Sequence, residues 1–416
     1  MKLESSFEKK LQLLSKEYLN LLNRYSYKNS EKLYYCFDYW SKLFAISYEY
    51  SIDLSNNILD LLSASIKSNG WKKRKQSKFK IIYSLLSIIN IKKGLFPYGS
   101  SFNSFFGKLI IIITQLKLES VNTTINASLK NELESKARLL LNNNQYDKLI
   151  KAIPNEFFLN IINDNSLPIY YEGSMYTLIS NKNNFKILFQ NKRIYLKGIQ
   201  HGGCYGELSK WNTEEFEIKV SDKFFHWGLG INNIQQNKFP LKNRSLRKIN
   251  KIFIVGTPSF GKIDLYNSGF DNKIHQKAID NRIWLIEKLI SHKKKVYFIE
   301  HPRQNYSMPN FVSTCKMKEI NDNVMSSSLF IIDYCMHSFF YKMIYQHIPF
   351  IMFFDRSWHQ NYSTRYASLI SFLNKEKILY YWDQDQEFIN QVNSIVNSGN
   401  YFKKNNQFII DFLEKN

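Results

Sequence analysis

Acidic residues are scarce in this chain of 416 residues: 35 Asp and Glu stand against 57 Lys and Arg, a formal charge of +22. A surface so biased favours polyanions, whether nucleic acid, anionic lipid headgroups or phosphorylated small molecules. Cysteine is also rare. Cys36, Cys204, Cys315 and Cys335 lie far apart, with no CxxC pair and no histidine at metal-ligand spacing, which argues against a disulfide framework or a zinc module and suits a reducing compartment. Long apolar runs are missing too. The strongest, LIIIIT at 109–114, is far too short to span a bilayer, and the opening MKLESSFEKKLQLLSKEY carries charges where a signal peptide needs an apolar core. The expected location is the cytoplasm, with contact at the inner face of the cytoplasmic membrane at most peripheral. No internal repeat or disorder-prone tract stands out beyond a general richness in Asn and Lys, so the chain reads as folded, and its length favours two domains.

What is present divides along the chain. The first 150 residues repeat their apolar positions at spacings of three and four, in LESSFEKKLQLLSKEYLNLLNRY and again over 31–66 and 128–152, which predicts helices. From about 166 the texture turns to short β-prone runs: PIYY, FKILF, RIYLKGI, then EEFEIKV and KFFHW. Residues 232–248 lack apolar periodicity and read as an interdomain linker. Beyond it, KIFIVGT, KVYFIEHP, SSSLFIIDY and PFIMFFD alternate with the helical AIDNRIWLIEKLISHK and SFFYKMIYQH, the pattern of a parallel sheet flanked by helices. The tail predicts two terminal helices. The expected domains are 1–235, helical and then Rossmann-like; 236–392, a second Rossmann-like unit; and 393–416, a terminal helix crossing back to the first.

Glycine is the most informative shortage. Only 15 occur, yet four fall within GIQHGGCYGE at 198–207. Placed after the strand-like RIYLKGI, they suit a turn whose backbone N–H groups approach a ligand closely. The segment is neither a dinucleotide fingerprint nor a Walker loop. His201 stands at the strand end, where open α/β sheets bind ligands, and is a functional candidate rather than a core histidine. Asp222 either orients His201, binds a hydroxyl, or caps an ordinary turn. Downstream, VGTPSFGK offers Gly256, Thr257 and Ser259 as an anion seat. EHPR sets His301, Pro302 and Arg303 after a strand, with a guanidinium suited to phosphate. His337 and Ser338 open a helix behind Asp333, and Asp355 ends a strand. Three such strand ends opposite a His-Gly-Gly turn predict a small-ligand cleft between two α/β units. The basic WKKRKQSKFK at 71–80 is either a solvated face or an anionic-membrane contact.

GIQHGGCYGE, followed by Glu217 and VSDKFFHWG, resembles the QHGGxYG and SD...WG signatures of a family of sugar transferases from bacterial O-antigen and surface-polysaccharide gene clusters. SSSLFIIDY and IPFIMFFDRSWH resemble that family's later segments, and YYCFDYWSKLFAISYEY its aromatic N-terminal helix. The HPR and HS elements are similar to motifs with which capsule Kdo transferases and bacterial sialyltransferases hold a CMP-sugar. Where the family carries small residues and paired threonines, this chain has Cys335, Met336, His337 and Ser338. The resemblance implies a GT-B fold, in which two Rossmann-like domains face across a cleft, and a metal-independent glycosyltransferase without a cofactor, since no DxD motif stands out. Its partners would be a CMP-linked donor and a glycan or lipid-linked glycan acceptor, with no nucleic acid. It implies that His201 is a base or donor-positioning residue and that Glu172, Glu207 and Asp222 are catalytic carboxylates. Donor contacts would come from Gln200, Gly202, Gly203, Tyr205, Gly206, Gly256, Thr257, Ser259, His301, Pro302, Arg303, Asp333, His337, Ser338 and Asp355. Two rivals are a CDP-linked glycerol or ribitol phosphotransferase on the same scaffold and a noncatalytic nucleic-acid-binding protein, the latter supported by charge and aromatic content alone.

Overall fold

The opening helices form because one face of each is apolar at helical spacing. In α1 (Ser6–Arg24) Phe7, Leu11, Leu14, Tyr18 and Leu21 are buried, and in α2 (Ser30–Glu49) Leu33, Phe37, Trp40 and Phe44 are. The two faces meet, with the Tyr18 and Phe37 rings 4.5 Å apart. Polar groups caught in this core are satisfied: the Ser15 and Ser41 hydroxyls lie 3.2 Å apart and the Tyr18 hydroxyl donates to the Phe157 carbonyl at 2.6 Å. The computed structural model describes residues 6–49, 118, 120–164, 167–200, 202–203, 205–227, 234–235, 248–257, 272–291, 295–301, 306–335, 337–398 and 403–415. The basic segment at 71–80, the LIIIIT run and most of the expected linker lie outside the described residues.

Contacts divide the chain into two units, Met1–Gln200 with Asn212–Phe225, and His201–Trp211 with His226–Asn416. In the first, α3 (Ala127–Leu140) and α4 (Asn143–Ala152) follow, each capped by an asparagine, Asn126 and Asn142. Strands β1 (Tyr170–Gly173), β2 (Tyr195–Ile199) and β3 (Lys223–His226) then pair in parallel. Buried Asn29, between α1 and α2, donates to the Leu188 and Lys192 carbonyls and accepts from the Ile194 N–H, which ties the helices to the start of β2.

Two β-prone runs are helical. FKILF spans α6 (Lys182–Phe185), after α5 (Met175–Ser180), and a 3-10 turn at Lys186–Phe189, while EEFEIKV lies in α7 (Asn212–Val220). In the first, Ile187, Leu188 and Phe189 are all buried, so the run carries no periodicity to separate strand from helix. In the second, Thr213, Phe216, Glu217 and Val220 share the buried face at spacings of three and one, a helical arrangement that alternation-based reading misses because a glutamate occupies a core position.

The second unit has the expected alternation. After the two-residue strand β4 (Ile234–Gln235), which completes the first sheet in the order β1-β2-β3-β4, comes a parallel sheet of β5 (Lys251–Val255), β6 (Val296–Glu300), β7 (Ser313–Lys316), β8 (Ser328–Ile332), β9 (Phe350–Phe354) and β10 (Leu379–Tyr381), in the order β10-β9-β8-β5-β6-β7. Counted from β5 this is the doubly wound order 3-2-1-4-5-6. The mixed α/β character with parallel sheets is therefore as expected. Central strands β8 and β9 are buried at every residue, as strands covered on both faces are, and read as continuous apolar runs. Edge strand β7, STCK, is mostly exposed and has no apolar signal to announce it. The helices of this unit are α8 (Asn272–Ser291), α9 (Asp322–Ser326), α10 (Ser338–Tyr345), α11 (Thr364–Lys375), α12 (Asp385–Ser398) and α13 (Lys403–Lys415). The terminal α13 packs within this unit: Asn406 donates to the Met343 carbonyl at 3.2 Å, and Arg365 to the Leu413 carbonyl at 3.1 Å. Among the described residues no helix is long and apolar enough to cross a membrane.

Candidate functional site

In a doubly wound sheet the crevice for ligands opens beyond the carboxyl ends of the two central strands, whose connections leave in opposite directions. Here those strands are β5, followed by Gly256 and Thr257, and β8, followed by Asp333. A buried polar cluster occupies this point. Arg282 reaches it from α8 and grips Asp333 with two bonds, Nε to Oδ2 at 2.5 Å and Nη2 to Oδ1 at 2.7 Å. It also donates to the Thr257 hydroxyl at 3.3 Å and to the Tyr306 hydroxyl. Burial disfavours the Arg282 charge, but Asp333 and Tyr306 outweigh it and keep the guanidinium protonated.

His337 stands beside this cluster as the N-cap of α10. Its Nε2–H donates to the Gly256 carbonyl at 3.1 Å, and its Nδ1 accepts from the Phe339 N–H at 3.4 Å. Burial drives its pKa down to about 4. With both ring nitrogens engaged, His337 holds the turn after β5 to the start of α10. Asp333 likewise faces Arg282 with both carboxylate oxygens. Ser338, the first residue of α10, is exposed. Asp355, after β9, accepts from the Ser357 N–H at 2.8 Å and pairs with Lys277 at 2.9 Å. Burial raises its pKa, but those two partners bring it below the usual carboxylate value. Beyond it lies a further group that no motif announces: the Tyr381 hydroxyl and His359 Nε2 lie 2.8 Å apart, with the Arg356 guanidinium 3.9 Å from the Tyr381 ring centre.

The glycine-rich segment joins the same unit from residue 201 onward. Gly202, Gly203, Tyr205, Gly206 and Glu207 are described; His201 and Cys204 lie outside the described residues. The segment is held to the loop after β9. Ser363 donates its N–H to the Glu207 carbonyl at 2.9 Å and its hydroxyl to the Gly206 carbonyl, Ser209 N–H donates to the Asn361 carbonyl at 2.9 Å, and Leu208 bridges Tyr362. Gly206 sits at φ 73°, a left-handed conformation that favours glycine. Glu207 is buried, and after desolvation its charge is among the causes that push the Tyr362 and Tyr366 phenols up. His301 follows β6 directly and is half-buried; Ser259, Pro302 and Arg303 lie outside the described residues.

The first unit holds the remaining carboxylates. Glu172, on β1, pairs with Lys197 at 3.0 Å and accepts from the Tyr170 hydroxyl at 2.8 Å. Asp222 accepts from the Leu196 N–H at 2.7 Å and pairs with Lys32 at 2.6 Å. That places it at the amino end of β2, whereas Gln200, whose N–H donates to the Phe225 carbonyl, follows the carboxyl end. Asp222 thus ties α2 to the sheet, the turn-and-cap alternative rather than a partner for the strand end. Glu217 is buried and accepts from the Ser174 hydroxyl and the Tyr176 N–H, both at 2.7 Å, holding the start of α5.

Arg282 and Tyr306 were not foreseen. Tyr306 has no sequence signal, but Arg282 had one: it occupies a core position in the stripe Ala278, Ile279, Arg282, Leu285, Ile286, Leu289. A cation there has to be paired. Among the described residues no group of three or more His, Cys, Asp or Glu side chains could hold a metal ion.

A family model described as LIC12162 family transferase matches residues 23–398. The chain belongs to the LIC12162 transferase family. The match begins within α1, ends in α12 and takes in both the glycine-rich segment and every residue of the β5–β8 cluster. Group transfer is therefore the activity that membership in the LIC12162 family implies. No curated protein and no solved structure matches the chain.

Proposed function

We propose that this transferase is a glycosyltransferase of bacterial surface-polysaccharide or lipopolysaccharide synthesis. It would take a CMP-activated ulosonic acid, such as Kdo or a sialic-acid-like sugar, and pass it to a glycan or lipid-linked glycan. The observation that carries the reading is the polar cluster of Thr257, Arg282, Tyr306 and Asp333 at the carboxyl ends of β5 and β8, the place where doubly wound sheets bind nucleotides. A GT-B arrangement is part of the proposal, with residues 236–392 as the nucleotide-sugar domain and 1–235 as the acceptor side; the terminal α13 packs on the second unit, so no crossing helix is included.

In the transfer, the bond from the sugar's anomeric carbon to the phosphate oxygen breaks, and its electron pair leaves with CMP. The acceptor oxygen bonds to that carbon and loses its proton to a base. The protein has to stabilise an oxocarbenium-like state and the charge building on the phosphate. His201 is the proposed base or donor-positioning group, with Glu207 the carboxylate nearest to it in sequence. Arg303 and His301 meet the phosphate, while His337, neutral, holds the Gly256 turn in place.

A thermal-shift panel of CMP, CDP, UDP, GDP and ADP against wild type and Arg303→Ala tests this. A ligand that binds only the native state at a hundred times its Kd stabilises by about 2.7 kcal/mol. CMP alone is expected to raise the melting temperature, and Arg303→Ala to lose that rise. Preference for UDP or GDP would retain glycosyl transfer and remove the donor assignment. Preference for CDP would favour the glycerol or ribitol phosphotransferase, and silence toward every nucleotide would end the catalytic reading.

A further inference from the structure

We propose that Arg356 and His359 form a carboxylate seat by which this transferase selects a sugar acid over a neutral sugar. The proposal rests on the reading that the transferred sugar is an ulosonic acid, and assigns the groups that recognise that sugar's own charge.

One short turn builds the seat. Arg356–Asn361 form a 3-10 helix, in which side chains three apart eclipse, so Arg356 and His359 fall on one face. The turn is held in place: Asp355 caps its start, and the fully buried Trp358 packs on Tyr334 after β8 at 4.9 Å and on Trp382 after β10 at 5.5 Å. Arg356 and His359 then meet the same phenol, Tyr381 at the carboxyl end of β10, one over its ring and the other at its hydroxyl.

The donors left over define the ligand. Asp383 takes the Nε–H of Arg356, at 2.8 and 3.1 Å, so of the five guanidinium hydrogens those on Nη1 and Nη2 have no acceptor among the described residues. That ion pair is 54% and 61% exposed and therefore weak, which leaves Arg356 open to a second anion. Burial, then the Arg356 charge, lowers the pKa of His359, and its ring is neutral at neutral pH. Burial raises that of Tyr381, so the phenol keeps its hydrogen and gives it to His359 Nε2. The imidazole hydrogen is then on Nδ1, which has no partner among the described residues. A guanidinium fork beside an imidazole N–H offers donors alone, and the fork matches a planar carboxylate oxygen for nitrogen.

Position agrees with chemistry. Strands β9 and β10 follow β8 in the sheet, which puts the seat about 5 to 10 Å along the same edge from the strand end that carries Asp333. In an ulosonic acid nucleotide the carboxylate is attached to the same carbon as the phosphate, whereas a nucleotide-linked neutral hexose has no second anion to place there.

Titration calorimetry of the full chain with CMP, with CMP-N-acetylneuraminic acid and with the methyl ester of that sugar nucleotide tests the seat. Wild type is expected to bind the acid about tenfold or more tighter than the ester, the usual weight of hydrogen bonds to a charged group. Arg356→Gln and His359→Gln should each remove much of that gap while binding CMP as wild type does. Arg356→Lys, which keeps the charge without the fork, should restore only part of it. His359→Gln retains an acceptor for the Tyr381 hydroxyl, and Arg356 is exposed enough that its variants stand in should the other fold poorly. Acid and ester bound alike by wild type would overturn the proposal alone, as would equal losses for CMP and the acid in the variants. A wild type that binds none of the three would overturn the CMP-sugar reading itself, and this proposal with it.

Discussion

At the scale of single residues, the glycines that cluster in sequence serve different ends. Gly198 is on β2, and a Cβ there would lie 2.3 Å from Ser221 Oγ and 2.5 Å from Phe224 Cδ2. The requirement is packing between β2 and β3. Gly206 is needed for its backbone angle, which lets its carbonyl accept from Ser363. Gly198→Ala is therefore expected to destabilise the fold by about 1–3 kcal/mol, the usual cost of overpacking, read as a lower midpoint in urea unfolding; a midpoint unchanged from wild type would contradict it. The glycine shortage was legible as a signal, but not its cause. The same is true of Asp222: its type and place after an apolar run allowed a catalytic or a structural role, and only its bond to Leu196 and pairing with Lys32 distinguish them.

At the scale of elements, α10 carries a prediction of its own. Its N-cap, His337, is buried and neutral, with Asp333 favouring its charged form and Arg282 opposing it. In the unfolded chain the imidazole titrates near 6.5, and in the native state near 4. Between those values the unfolded state binds the extra proton, so native stability rises with pH across the window and is lost as pH falls through it. The loss on acidification across that window is of order 3 kcal/mol. Asparagine also caps helices well, so His337→Asn should flatten the stability–pH slope between about pH 6.5 and 4 while α10 remains formed. Thermal unfolding of both proteins across that range checks it, and identical slopes would show that His337 does not titrate in this way. Element type was readable from helical periodicity in α1 and α2 and from continuous apolar runs bounded by turn residues in β5, β8 and β9. It was misread in FKILF, where every residue is apolar or a stem-bearing lysine, and absent in β7, whose exposed edge gives selection on side-chain polarity nothing to mark.

For the whole molecule the governing number is the charge of +22. Such an excess opposes compaction through self-repulsion. Raising ionic strength from about 0.01 to 0.15 M shortens the screening length from about 30 to 8 Å, so the melting temperature is expected to rise with sodium chloride over that range; a fall would mean that screened ion pairs such as Arg24–Glu132 matter more than the net repulsion. Sequence by itself determined the α/β class, the alternation of the second unit and the strand-end segments, because hydrophobic periodicity and chain order are local properties. Tertiary structure alone decided which of those ends meet. It joined Gly256, Thr257, Asp333 and His337 through Arg282 and Tyr306, and fastened Gly206 and Glu207 to Ser363. The physical reason is that strand order in a sheet and the pairing of buried charges depend on contacts between residues tens to more than a hundred positions apart, which no local pattern encodes.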